Sequence, residues 1–372
     1  MDLEQTAVQR ELRQEVRAAL ATVPASDGIT FQTRRDVDTA LGRAGLLGVT
    51  WPREFGGRGL GLLDALAIEQ ELVNAGFPVT MQPSRFAVNL LGPGLHRHGS
   101  DAQRREWLPR ILRADDIWCQ GFSEPDAGSD LASVRTTAVD RGDGLRLNGR
   151  KIWTTQAQLA DRCFVLAKTD PDAPRYRNLS MLIVDMRDPG VSVSPIIQAT
   201  GDSEFNEVTF DDVAVDPRNV VGEPGNGWQV AITTLSAERT YGQLSRFTKF
   251  GREFQHLLDD LDPTDETAHR EAGHLAARLA GIRALALRTA ALEDSGRREE
   301  AAGLASILKL WWSETHQDLT SAGWAAEARS DNGDSYWWWR AIESRSETIA
   351  AGTSQIQRNI IAERGLGLPR VR

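Results

Sequence analysis

Residues 121–130 read GFSEPDAGSD, and residues 149–155 read GRKIWTT. The first stretch is a turn of glycines, hydroxyls and acids whose backbone amides can approach an electron-rich ring or a phosphate, because a glycine lets a ligand lie against main chain. The second sets the indole of Trp153 beside the hydroxyls of Thr154 and Thr155. A planar cofactor stacked on Trp153, with Ser123 and Thr155 at its polar edge, satisfies both segments.

Around this pair the texture of the chain changes twice. Up to about Leu112 apolar residues recur at three and four, as in Leu62, Leu66, Leu72 and Val73, with Pro and Gly at the breaks. From about Trp118 to Val221 short runs rich in Val, Thr and Phe take over, at 163–167, 181–184, 191–194, 208–210 and 213–215. Helical spacing returns from Gly227, with breaks expected near 260–265, 294–296 and 330–335. The reading is α+β: a helical domain over 1–115, a small β-barrel-like domain over 116–222 and a helical bundle over 223–372.

Composition narrows the function. With 372 residues the chain is too long for one ordinary core. Its net charge of -9 argues against nucleic-acid binding. Two cysteines, Cys119 and Cys163, make neither a disulfide framework nor a zinc site, which suits a reducing compartment. The start of the chain lacks a signal peptide's basic and apolar segments, and no apolar run of about 18 residues occurs. A cytoplasmic protein with no membrane partner is expected.

At this point the chain resembles the acyl-CoA dehydrogenase family, flavoproteins that use FAD to desaturate CoA thioesters. Three further stretches carry the likeness: WPREFGGRG at 51–59, AGTSQIQRN at 351–359 and the tail GLGLPR at 365–370. The resemblance implies that Gln120, Phe122, Ser123, Gly128 and Ser129 line the flavin, that Trp153, Thr154 and Thr155 hold its ring, and that Thr353, Ser354 and Gln355 touch it. It implies contact with the substrate at Ser129, Arg239 and Gly352. Two segments depart from the family pattern. No arginine with a Phe-Gly pair follows Phe254, and residues 317–323, QDLTSAG, replace a double-glycine segment that contacts the adenine.

Desaturation needs a base for the proton α to the carbonyl while the flavin takes a hydride from the β carbon. Many family members place a Glu directly before the Gly-Thr of the closing signature, where this chain has Ala351. Others, with branched, long or sterol-derived substrates, place it on a helix before an Arg, and Glu238-Arg239 matches that arrangement. Ala231, Leu235, Glu238 and Gly242 share one helical face, so the carboxylate sits among small and apolar residues that raise its pKa. The bland alternative is a half-exposed partner of some arginine.

Other features weigh less. Gly57, Gly59 and Gly61 lack the preceding strand of a nucleotide loop. His96 and His98 have no ligand cluster around them and are expected at the surface, with no metal. The aromatic run 336–339 with Arg340 is weighed as the wall of an acyl pocket but read as core or subunit contact. The expected function is FAD-dependent α,β-dehydrogenation of an acyl-CoA by a homodimer or homotetramer that passes electrons to an electron-transfer flavoprotein. The alternatives are a subunit of a heteromeric dehydrogenase built with a paralogue, or a flavin monooxygenase of the same fold.

Overall fold

The computed structural model describes residues 5–25, 28–77, 82–241, 244–328 and 336–369. Among these the chain runs through α1 (Ala7–Leu20), α2 (Phe31–Arg43) and α3 (Leu62–Asn74). Next come α4 (Ser84–Phe86), which continues through a π turn into α5 (Gly92–His98), and α6 (Asp101–Leu112). Eight strands follow: β1 (Trp118–Gly121), β2 (Thr137–Asp140), β3 (Leu145–Thr155), β4 (Arg162–Lys168), β5 (Leu179–Asp185), β6 (Val191–Ile196), β7 (Phe205–Val215) and β8 (Val220–Val221). The remainder is helical: α7 (Gly227–Tyr241), α8 (Arg246–Asp260), α9 (Glu266–Asp294), α10 (Arg298–Glu327), α11 (Tyr336–Ser344) and α12 (Ser354–Ile360). The α+β order read from the sequence is present. The expected break at 330–335 lies outside the described residues.

The chain divides into two compact units, one of residues 1–60 and 77–237, the other of 61–76 and 238–372. In the first, the strands form one sheet in the order β6-β7-β3-β2-β4-β5-β8, with β1 parallel to β4. β5 is buried along nearly its whole length, as its unbroken LSMLIV requires, whereas β6 alternates with the pleat. Helix ends are set by side chains. Thr6 with Gln9 and Ser100 with Gln103 form capping boxes at α1 and α6. Trp51, Leu95, Trp107, Trp118 and Phe164 anchor the apolar core between helices and sheet.

One expectation is corrected here. The runs 208–210 and 213–215 are not two strands but one, β7, because Asp211 and Asp212 pass through a bulge opposite β3, where Leu147 pairs Val213 and Gly149 pairs Phe210. Asp212 adopts φ 51°, and its amide donates to Asn148 Oδ1 at 2.9 Å.

In the second unit α9 and α10 pack side by side. A Cβ on Gly281 would lie 2.3 Å from the Trp311 ring, so glycine is what lets that indole seat on α9. Gly323 receives Trp337 in the same way, and Trp337 Nε1 donates to Asp260 Oδ2 at 2.7 Å, which makes the aromatic run core at that residue. No helix among the described residues is long and apolar enough to cross a membrane.

Candidate active site

In the first unit the two signature stretches are fastened to each other. Ile152 N donates to Ser123 O at 2.9 Å, joining β3 to the loop that leaves β1. Inside the loop, Glu124 and Ala127 exchange both backbone hydrogen bonds. Glu124 also accepts from Arg135 N at 2.5 Å, Thr136 N at 2.9 Å and Lys151 Nζ at 2.8 Å. Lys151 is fully buried and donates further to the carbonyls of Phe122 and Leu166. Burial pushes the lysine down to about 8, against the pull of Glu124. Burial opposes the charge on Glu124 too, but Lys151 and the donors from Thr136 and Arg135 outweigh it and hold that carboxyl low. Sequence reading passed over both residues, although an acid inside a turn of small residues is a signal for such an anchor.

The aromatic residue is aimed outward. Between Lys151 and Thr154 the β3–β7 register slips by one residue, and Trp153 sits in that bulge with φ 61°. A bulky residue in the left-handed region is a strained outlier. Trp153 is 56% exposed and meets Phe205 in a T-shaped arrangement, with centroids 6.1 Å apart and planes at 85°. Thr155 is half-buried, whereas Thr154 faces inward and its hydroxyl has no hydrogen-bond partner. Gly128 and Ser129 are exposed, Ser123 is half-buried and Phe122 is buried. Gln120 lines a small apolar cavity with Leu90, Leu91, Phe164 and Thr234.

In the second unit Glu238 and Arg239 stand near the C-terminal end of α7, both half-buried. Burial raises Glu238, while Arg239, Arg246 and Lys309 pull it back. Burial likewise lowers Arg239. Gly242, assigned to the same helical face, lies outside the described residues. The same unit holds a buried chain of charge. His316 on α10 reaches Glu347 Oε2 with Nδ1 at 2.5 Å and Glu253 Oε2 with Nε2 at 2.8 Å. Arg246 pairs with Glu347 at 3.1 Å, and Lys309 donates to the Glu347 carbonyl at 2.9 Å. Nothing in sequence joins a lone histidine to acids 63 and 31 residues away.

The closing signature folds as a tight turn into α12. Ala351 (φ 55°) and Gly352 (φ 89°) are both left-handed, and buried Gln357 donates to their carbonyls at 3.1 and 3.4 Å. Thr353 caps α12 by accepting from Ile356 N at 3.1 Å; Ser354 is buried and Gln355 exposed. Gln317, within the segment that departs from the family pattern, donates to Ser344 O and Thr348 Oγ1, both at 3.1 Å. His96 and His98 are half-buried rather than superficial: His96 packs edge-on to Phe55, and His98 bonds Thr233 Oγ1 at 2.8 Å.

Three sequence profiles match in succession: the acyl-CoA dehydrogenase N-terminal domain at residues 3–115, the middle domain at 119–213 and the C-terminal domain at 225–366. The chain belongs to the acyl-CoA dehydrogenase family. It is 41% identical over 356 residues to the acyl-CoA dehydrogenase IpdE1 of Mycobacterium tuberculosis, covering 93% of this chain and 91% of that one. A solved structure described as the Tcur3481-Tcur3483 steroid ACAD superposes with a TM-score of 0.86 at 28% identity, over the whole of both chains. The ChsE4-ChsE5 complex from Mycobacterium tuberculosis superposes with a TM-score of 0.82, also at 28% identity and full coverage of both chains. The chain is accordingly an oxidoreductase acting by acyl-CoA dehydrogenation.

Proposed function

We propose that this acyl-CoA dehydrogenase uses FAD held in part by Trp153, and that Glu238 is its base. The residues fit a flavin. Trp153 offers an exposed indole face from a strained bulge, and Ser123, Thr155 and the backbone at Gly128 and Ser129 supply polar groups beside it. Phe122 and Thr154, being buried, act through the backbone they shape. On the family likeness, Thr353, Ser354 and Gln355 are also assigned to the flavin, and Ser129, Gly352 and Arg239 to the substrate. When bound, FAD supplies the acceptor for the hydride leaving the β carbon.

The observation that carries the assignment is the setting of Glu238. Its carboxylate takes the α proton. Burial makes it a stronger base than an ordinary glutamate, while Arg239, Arg246 and Lys309 oppose the full shift and favour its ionised, proton-accepting form. The alanine at 351 leaves no carboxylate at the family's other seat for the base. We assign a bulky, steroid-derived acyl-CoA as the substrate class, on the likeness to the steroid ACAD and the helix-borne Glu. An electron-transfer flavoprotein is the assigned acceptor. The test is flavin bleaching on mixing the purified protein with a panel of straight-chain, branched and steroid-side-chain acyl-CoAs. Bleaching only by a small straight-chain ester would overturn the substrate class.

A second reading concerns assembly. Two of the similar structures are named as pairs of different chains, which favours a heteromer with a paralogue over a homodimer or homotetramer. A protein that is colourless when produced alone and takes up FAD when coexpressed with a second family member would establish it; a yellow homo-oligomer would exclude it.

A further inference from the structure

We propose that Asn206 is a positioning residue for Trp153: its side-chain amide holds the bulge that aims the indole outward. The functional meaning of that aim rests on the flavin reading above. Asn206 is fully buried on β7 and pairs with Thr154, the residue after the bulge. Its Nδ2 donates to Thr154 O at 3.1 Å, to Glu204 O at 3.2 Å and to Gln158 Oε1 at 2.5 Å.

A bulge leaves carbonyls out of the ladder, and a buried carbonyl without a donor is costly. Asn206 Nδ2 gives a donor to the carbonyl of Thr154, on the C-terminal side of Trp153. The backbone needs this support because two non-glycine residues near it are left-handed, Trp153 at φ 61° and Gln156 at φ 55°. Gln156 N is tied to Glu204 O at 2.7 Å, so the carbonyl of Glu204, directly before β7, receives both Gln156 N and Asn206 Nδ2. Phe205, next to Asn206, meets the Trp153 ring at nearly a right angle. The first two residues of β7 thus hold Trp153 by a hydrogen bond to its neighbour's carbonyl and by a ring contact.

Asn206→Leu keeps size and removes the donors; Asn206→Asp keeps shape and removes them in a different way. The protein is labelled with 5-fluorotryptophan, and the Trp153 fluorine resonance is identified by its loss in Trp153→Phe. In both Asn206 variants that resonance is expected to shift or split while those of the buried Trp107 and Trp118 stay in place. The apoprotein is then titrated with FAD. Asn206→Leu is expected to weaken binding by at least about tenfold, the scale of one lost buried hydrogen bond. In Trp153→Ala the same change is expected to weaken it little further, because a residue acting through Trp153 has nothing left to act on. An unmoved Trp153 resonance, or fully additive losses, would overturn the proposal. Wild-type FAD affinity in Trp153→Ala alone would instead overturn the flavin reading, and the fluorine spectrum would still judge Asn206.

Discussion

Lys151 Nζ lies 2.8 Å from Glu124 Oε1 with neither side chain open to solvent, which ties the GFSEPDAGSD loop to the strand that bears Trp153. The ammonium spends its other contacts on the carbonyls of Phe122 and Leu166, and the carboxylate on two backbone amides. Removing one member strands the other as a buried charge.

Lys151→Met is therefore expected to destabilise the protein by about 3–5 kcal/mol, and Glu124→Gln by less, because an amide still accepts one of the backbone bonds. Flavin loss should accompany both, since the loop is freed. Thermal melts and the ratio of flavin to protein absorbance check this. A Lys151→Met protein that melts and binds like the parent would show the pair to be dispensable.

Gly128 has neither a left-handed φ nor any neighbour within 4 Å of the place a Cβ would occupy. Folding alone does not demand a glycine there. Gly128→Ala should leave the apoprotein as stable as the parent or stabilise it by up to about 1 kcal/mol through the unfolded chain. Its FAD dissociation constant should rise by at least about tenfold if main chain must lie against the ligand. Unchanged FAD affinity would remove Gly128 from the flavin contacts.

The Glu253–His316–Glu347 cluster gives a pH signature. Burial opposes charge on His316, but Glu347 and Glu253 outweigh it and raise the ring above its ordinary value. Its contribution to stability is complete below the unfolded histidine's value of about 6.5 and is lost as pH rises through the folded one. The acids behave oppositely. Glu253 is held down to about 2 by Lys249, His316 and Arg340 against its burial, so its contribution is lost only in strong acid. His316→Gln should lower the melting temperature most near pH 6 and flatten the decline above it, relative to the parent. Lys151 and Lys309, both lowered to about 8, add a rise in stability at alkaline pH that is common to parent and variant. An equal loss at every pH would mean the ring is neutral.

How far these features could be read in advance depends on their range. Strand β5 and helix α3 were visible because burial on one or both faces writes itself into local periodicity. The bulge at Trp153 was not, since it arises from pairing with β7 about fifty residues on; the same pairing fused two expected strands across Asp211 and Asp212. The helical position of Glu238, directly before an Arg, was legible from the spacing around it. The partners of His316 were not, because tertiary packing alone brings α8, α10 and the turn after α11 together.

The seat of the base can be moved as a final test. Glu238→Gln keeps volume and fold but lacks a basic carboxylate, so the rate of flavin reduction by a turnover-competent acyl-CoA should fall by at least about a hundredfold. The pH dependence of the parent rate should show an apparent pKa above the ordinary glutamate value, because burial raises Glu238, with activity falling as pH drops through it. Adding Ala351→Glu to that variant should restore part of the rate. The turn already holds residue 351 at φ 55° with Gln357 bonded to its carbonyl, so a longer side chain changes no backbone contact there. Stopped-flow bleaching of the single and double variants decides the matter. Reduction at parental speed in Glu238→Gln would place the base elsewhere. If only the rescue fails, Glu238 keeps its role and the side chain at 351 does not reach the α carbon.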